Sequence, residues 1–236
     1  MSSFVKASLL LLTVSLSACV KDRFDYDESE LKADGQNPLS VMEFTKPISL
    51  DPMEPGWFQY EFLWHDPMDI AFERKGGVPA IKLSTKDSAS MLFRQVDIDL
   101  EEYPELEWKW YVERGINSDA AEGTDEGDDH PARIVVNFET PSEDERFVEI
   151  VWGNKIRGPQ LLEVGDYTQY VARGTGDQIG KWHTERVNLL DLYRQIWKTH
   201  EEPIVITEIG LSCDSDDTES SSVSYFADLK MYKKGR

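Results

Sequence analysis

The feature that most constrains this chain is a period-two alternation of apolar and polar residues, repeated in short runs from about Phe44 to Tyr232. Phe58, Tyr60, Phe62 and Trp64 alternate with Gln59, Glu61 and Leu63. Leu106, Trp108 and Trp110 alternate with Glu107, Lys109 and Tyr111. Ile134, Val136 and Phe138 share one face, and Val148, Ile150 and Trp152 another. Val205, Thr207, Ile209 and Leu211 form a further run, and Val223, Tyr225, Ala227, Leu229 and Met231 the last. Successive side chains of a strand point to opposite faces, so this spacing describes strands with one buried side. One segment departs from it. Leu189, Leu192, Tyr193, Ile196 and Trp197 recur at helical spacing behind Asn188, whose side chain can cap a first turn. Many strands, one short helix and frequent turn signals predict an all-β chain, an antiparallel β-sandwich of jelly-roll type.

Charge narrows the partners. The 236 residues include 45 acidic and 25 basic side chains, a formal net charge of −20. A nucleic-acid backbone needs a basic face that displaces counterions, and an anionic lipid surface needs the same sign. Both are excluded as non-specific partners. A hydrophobic content of 40% and an aromatic content of 11% are too high for a disordered acidic tail. One domain of the all-β class accommodates this length.

The N-terminus reads as an address. Lys6 supplies a positive start, and Ala7 to Leu16 form an apolar run. The run is about half of the roughly 20 residues that span a bilayer. It ends in Leu16-Ser17-Ala18-Cys19, which resembles the lipobox of bacterial lipoproteins. The resemblance implies removal of residues 1–18, a diacylglyceryl group on Cys19, export, and a membrane anchor. Val20 stands where aspartate would mark inner-membrane retention, which favours the periplasmic face of the outer membrane. An ordinary cleaved signal with a chance cysteine is the alternative. Residues 19–45 are polar and read as a flexible tether, leaving 46–236 as the sandwich domain. Cys213 then has no disulfide partner, and a lone thiol in an oxidising compartment reads as a small buried hydrophobe.

Local catalytic signatures are missing. His200-Glu201-Glu202-Pro203 fails the zinc-protease pattern, and there is no G-x-S-x-G or C-x-x-C. The segment Gly174 to Lys181 fails as a phosphate loop, with Thr175 at the first glycine and Trp182 at the magnesium-binding hydroxyl. His65, His130, His183 and His200 are too scattered for a zinc site.

Three constellations could carry chemistry. The first is Gly127-Asp128-Asp129-His130-Pro131-Ala132-Arg133, closing a loop with Asp119, Glu122, Asp125 and Glu126. Packed carboxylates repel, so the loop is either solvated or organised by a cation or by Arg133, which could clamp Asp128 or Asp129. The second is the turn Asp214-Ser215-Asp216-Asp217-Thr218-Glu219. Asp214, Asp216 and Asp217 are candidate ligands for calcium, although Glu219 breaks the EF-hand pattern. The bland reading is a turn whose side chains cap backbone groups. The third is aromatic: Trp108-Lys109-Trp110, Trp152-Gly153-Asn154 and Trp182-His183-Thr184-Glu185-Arg186. Rings beside polar groups suit sugar recognition, with Lys109, Trp152, Glu185 and Arg186 as candidate contacts. Tryptophans at period two equally suit a sandwich core.

Taken in order, these pieces resemble one family. Pro55-Gly56-Trp57, Ser88-Ala89-Ser90, Tyr103-Pro104-Glu105-Leu106-Glu107-Trp108-Lys109-Trp110 and the Gly127 to Arg133 motif come first. Val151-Trp152-Gly153-Asn154, Gly180-Lys181-Trp182, Glu185-Arg186-Val187-Asn188, the Asp214 turn and Tyr225-Phe226-Ala227-Asp228-Leu229 follow. The order is similar to that of the bacterial domain of unknown function 3047, over roughly residues 44–233. The chain departs from it at Asp217, where asparagine is expected. The resemblance implies an exported all-β single domain and carries no activity over to it.

Three functions fit. One is a non-catalytic module binding a carbohydrate or similar polar ligand. Another is a glycan hydrolase or lyase using paired carboxylates such as Asp129 and Glu185. The third is a structural envelope component that binds another protein.

Overall fold

The computed structural model describes residues 30–142, 145–174 and 179–235. The signal segment and Cys19 lie outside them. The chain folds as a β-sandwich. One sheet of eight strands runs in the order β1 (Leu31–Lys32), β6 (Ser90–Asp99), β13 (Val205–Ser212), β8 (Arg133–Glu139), β9 (Arg146–Gly153), β11 (Tyr167–Gly174) and β10 (Gln160–Val164). β3 (Trp57–Glu61) also pairs with β6. The six-stranded sheet runs β12 (His183–Asn188), β7 (Glu105–Arg114), β14 (Ser221–Tyr232), β5 (Val78–Lys86) and β4 (Asp69–Lys75), with β2 (Leu39–Met42) on β14. Pairing is mainly antiparallel; β1 with β6 and β9 with β11 are parallel.

The tryptophans predicted as strand residues meet between the sheets. Trp108 and Trp110 of β7 and Trp152 of β9 are almost fully buried. Trp110 is edge-on to both, at 5.2 Å from Trp108 and 5.5 Å from Trp152. Ile134, Val136, Phe138, Val148 and Ile150 complete the layer from the other sheet. Each aliphatic side chain so removed from water contributes about 1.5–3 kcal/mol before the entropy of ordering it is subtracted.

Two runs are split by bulges. In β14 the register shifts between Ala227 and Lys230, where Asp228 takes φ 52°. Phe226, Leu229 and Met231 therefore face the core, while Val223, Tyr225 and Ala227 form a small cluster with Ala80. In β13 the shift between Ile206 and Glu208 puts Ile206 and Ile209 inside together. A bulge adds one residue to one strand and moves all later side chains to the opposite face, which a constant period cannot anticipate. The first run also stops early. β3 ends at Glu61, leaving Leu63 at 82% and Trp64 at 97% exposure.

Leu189–Trp197 form the α-helix α1. Asn188 Oδ1 accepts from the Asp191 amide at 2.9 Å, and Lys198 closes the helix in the left-handed region at φ 53°. Tyr193 and Trp197 pack on Phe138, with centroids at 5.3 and 6.0 Å.

The expected tether needs correction over its described part. Residues 30–45 contribute β1 and β2, and Leu39, Val41, Met42 and Phe44 are buried in the main core. Four buried apolar side chains within six positions outweigh the polar composition around them. Cys213 is buried and free, with Thr85 Oγ1 at 3.6 Å.

Candidate functional site

The Gly127 to Arg133 motif is buried. Arg133 opens β8 with its side chain only 3% exposed. Its guanidinium donates to Glu149 Oε2 at 2.6 Å, meets Asp214 Oδ2 at 2.8 Å and Asp128 Oδ1 at 3.4 Å, and donates to the Asp128 carbonyl. Gln169 of β11 donates to Asp128 Oδ1 at 2.5 Å and to Glu149 Oε2 at 2.9 Å, and Tyr167 donates to Asp128 Oδ2. His130 lies beneath, its ring nitrogens 3.2 Å from the Trp152 carbonyl and 3.1 Å from Gln169 Oε1. Burial drives the Asp128 carboxyl upward, yet Arg133 and the bonds from Tyr167 and Gln169 hold it below its ordinary value. Burial opposes the charge on Arg133, and Asp128, Asp214 and Glu149 hold it well above its ordinary value. The fork of donors reaches all three carboxylates of this buried ionic cluster, while Arg133 Nε keeps no partner among the described residues.

Glu122, expected in a solvated loop, is drawn in. Its carboxylate accepts from the amides of Lys155 at 2.9 Å and Ile156 at 2.7 Å, and from that of Asn154. Asn154 in turn donates to the Asp129 carbonyl at 2.6 Å. The first acidic loop is thus divided: Asp119, Asp125 and Glu126 stay exposed, while Glu122, Asp128 and Asp129 are drawn inward by separate partners.

The second acidic turn packs against the first. Asp129 is fully buried and is not clamped by Arg133. It accepts from the amides of Asp217 at 3.3 Å and Thr218 at 2.7 Å, and from the Thr218 hydroxyl. Asp214, expected beside Asp216 and Asp217 as a metal ligand, turns instead to Arg133 and to the His130 amide at 2.8 Å. The carboxylates of Asp129, Asp216 and Asp217 bring one oxygen each within 4.8 Å of one another, so these three are the group that could hold a cation. Burial, then Asp216, Asp129 and Asp128, push Asp217 up to about 6. Asp216 also meets His65 Nδ1 at 3.1 Å.

A half-open groove of about 360 Å³ lies where β11 and β12 face each other across the edge of the sandwich. Arg157, Tyr170, Arg173, Glu185, Arg186 and Val187 line it. Glu185 Oε1 accepts from Arg173 Nε and from Trp110 Nε1, the latter at 3.3 Å. Arg186 pairs with Glu105 at 2.5 Å and lies over the Tyr232 ring at 4.0 Å.

Of the candidate contacts, Glu185 and Arg186 thus come together in a groove. The others do not. Trp152 is a core ring with 1% exposure, so it cannot stack on a ligand in this fold. Lys109 points to the outer face of β7 and pairs with Asp228 at 2.8 Å. Asp128 and Arg133 are tied up in the buried cluster, and Asp129 in its bonds from Asp217 and Thr218. Asp129 does not line the groove that holds Glu185, so the expected catalytic pair is not formed there. Glu149, Tyr167 and Gln169 escaped sequence reasoning because the parallel pairing of β9 with β11 brings them together. Tyr170 and Arg173 escaped it because their groove forms between β11 and β12, which belong to different sheets.

The fold and its polar clusters define an all-β sandwich domain with a buried ionic cluster and an open polar groove among the described residues. The chain belongs to the family described as protein of unknown function (DUF3047), whose profile matches residues 55–230. No curated protein matches it. Among solved structures it is similar to the family 30 carbohydrate-binding module of a cellulosomal cellulase of Clostridium thermocellum. That likeness has 12% identity and a TM-score of 0.48, over 85% of this chain and 100% of that one. It is also similar to the carbohydrate recognition domain of Emp47p, at 12% identity and a TM-score of 0.46, over 86% and 100% of the two chains. A cellulose-specific module, CBM28, follows at 10% identity and a TM-score of 0.36, over 84% and 97%. Likenesses of this size do not bear on what this chain binds.

Proposed function

We propose that this protein is an envelope-tethered lipoprotein whose sandwich domain is a non-catalytic binding module for a carbohydrate or similar polar ligand. The observation that carries the reading is the groove between β11 and β12, where Tyr170 stands beside Glu185, Arg173, Arg186 and Arg157. An aromatic ring can cover an apolar sugar face while charged groups fix hydroxyls, and binding sites combine these two features in a concavity. A non-catalytic role is supported by the lining. Glu185 is its single carboxylate among the described residues, and that carboxylate is held by Arg173 and Trp110. Glycoside hydrolysis needs two carboxylates facing each other.

A glycan array tests the reading. Wild-type protein binds a defined set of polysaccharides without releasing products, and Tyr170→Ala loses the signal while the domain stays folded, at a lowered melting temperature because Tyr170 also packs on the core. Absence of binding to any polysaccharide, or release of sugars, overturns it. The anchor rests on the Leu16 to Cys19 motif. Mass analysis of the membrane-extracted protein then finds a lipidated Cys19 at the mature N-terminus, and Cys19→Ser releases the domain. Calcium is the cation suited to the oxygens of Asp129, Asp216 and Asp217. A bound ion raises the melting temperature by mass action, so an unchanged melting temperature with calcium and with chelator ends that part of the proposal.

A further inference from the structure

A second cavity, of about 480 Å³, lies on the opposite part of the domain. Its floor is built by the turn Glu54-Pro55-Gly56-Trp57. Gly56, at φ 81°, permits the turn, the Trp57 amide donates to the Glu54 carbonyl at 3.0 Å, and the Gln95 amide fixes the Gly56 carbonyl to β6 at 2.9 Å. Trp57 is thereby set below Arg94 of the neighbouring strand, whose guanidinium lies 5.4 Å from the ring centroid. Phe44 supports the ring from the side at 6.4 Å. Lys46, Glu43 and Glu54 stand at the rim.

Arg94 is the half-buried arginine of this cavity. It donates to the Val41 carbonyl, and Glu54 acts on it through space without closing an ion pair among the described residues. Burial pushes its guanidinium below its ordinary value, with Glu54 opposing. A guanidinium carries five N–H donors in a rigid fork. Arg94 and Trp57 both line the cavity, and the guanidinium's one hydrogen bond among the described residues, from Nη1 to the Val41 carbonyl, leaves other donors of that fork for a ligand. Such a fork matches a planar carboxylate in bidentate fashion. Glu43 and Glu54 select against a doubly charged phosphate by repulsion, and serve as acceptors for hydroxyl groups.

We propose that this cavity binds a uronate, a sugar-like ring bearing one carboxylate, with the carboxylate on Arg94 and Lys46 and ring hydroxyls on Glu43 and Glu54. The site is separate from the β11–β12 groove and does not depend on it.

Isothermal titration of the full domain with D-glucuronate tests this, with D-glucose and inorganic phosphate as comparison ligands. Glucuronate binds, and glucose and phosphate bind more weakly. Arg94→Gln weakens binding about tenfold or more, the loss of one charge-assisted pair. Arg94→Lys keeps the charge and the stem but loses the fork, and weakens binding too; it serves if Arg94→Gln does not fold. Lys46→Ala, at an exposed position, weakens it by a smaller factor. In a heteronuclear spectrum the Trp57 indole N–H shifts on addition of glucuronate. Absence of binding, tighter binding of phosphate, or full binding by both Arg94 variants overturns the proposal.

Discussion

The guanidinium of Arg133 and the carboxylate of Asp214 lie 2.8 Å apart, both nearly excluded from water. One opens a strand in the middle of the eight-stranded sheet, and the other leads the turn into the last strand of the opposite sheet. Together with the His130 amide bond to Asp214, the pair locks the two acidic loops into one unit. Part of the chain's excess negative charge is therefore structural.

Removing Arg133 leaves Asp128, Glu149 and Asp214 buried without their cation. Arg133→Leu is expected to cost about 3–5 kcal/mol, the scale for breaking a buried ionic cluster by taking out one partner. Equilibrium urea denaturation measures it. A loss below about 1 kcal/mol, the range of an exposed ion pair, would show that the cluster is solvated.

Asp217 titrates the other way. Its ordinary value is 3.8, and burial with neighbouring carboxylates raises it to about 6 in the folded protein. The folded state thus holds that proton more tightly than the unfolded one. The penalty is absent below pH 3.8, grows as pH rises to about 6, and is fully present above it. Asp217→Asn should stabilise chelator-treated protein at pH 7 and leave it unchanged near pH 3.5. The gain is no more than about 1 kcal/mol, because the carboxylate is only partly withdrawn from solvent, which screens its neighbours. Melting curves at the two pH values decide it.

Cys213 should be inert. Burial pushes its thiol up to about 11, with Asp214 adding to the rise and bonds from Ser222 and Thr85 opposing it. Thiolate is the reactive form, so native protein should leave the Cys213 peptide unlabelled by a disulfide reagent, and urea should expose it. Fast labelling without denaturant would contradict its place in the core.

Trp64 contributes no packing and sits at φ 77°, a region that costs a bulky residue. Trp64→Gly is expected to leave the melting temperature unchanged or to raise it, by about 0.5–1 kcal/mol of stability. A clear loss would mean that the ring packs on the domain in solution.

Much of the fold was legible before any coordinates. The period-two runs found β7, β8 and β9, and Asn188 marked the helix start, because burial of one strand face and capping of a helix end are local demands. The interruptions at Asp228 and near Thr207 were not legible, since a bulge is set by the strands on either side. Gly210 shows the same dependence: a side chain there would strike the Phe93 ring of the neighbouring strand at 2.5 Å. The site was less legible than the fold. Asp128, Asp129 and Arg133 stand out by composition, but whether such a cluster meets solvent depends on Glu149 and Gln169 from other strands. Tyr170 and Arg173 carry no local mark.

The central claim is that the β11–β12 groove is the ligand site. Its most direct test is a heteronuclear chemical-shift map of the domain titrated with a glycan that it binds. The account predicts shifts concentrated at Arg157, Tyr170, Arg173, Glu185 and Arg186. Shifts concentrated at Asp128 to Arg133 or at the 214–218 turn, with the groove unmoved, would contradict it.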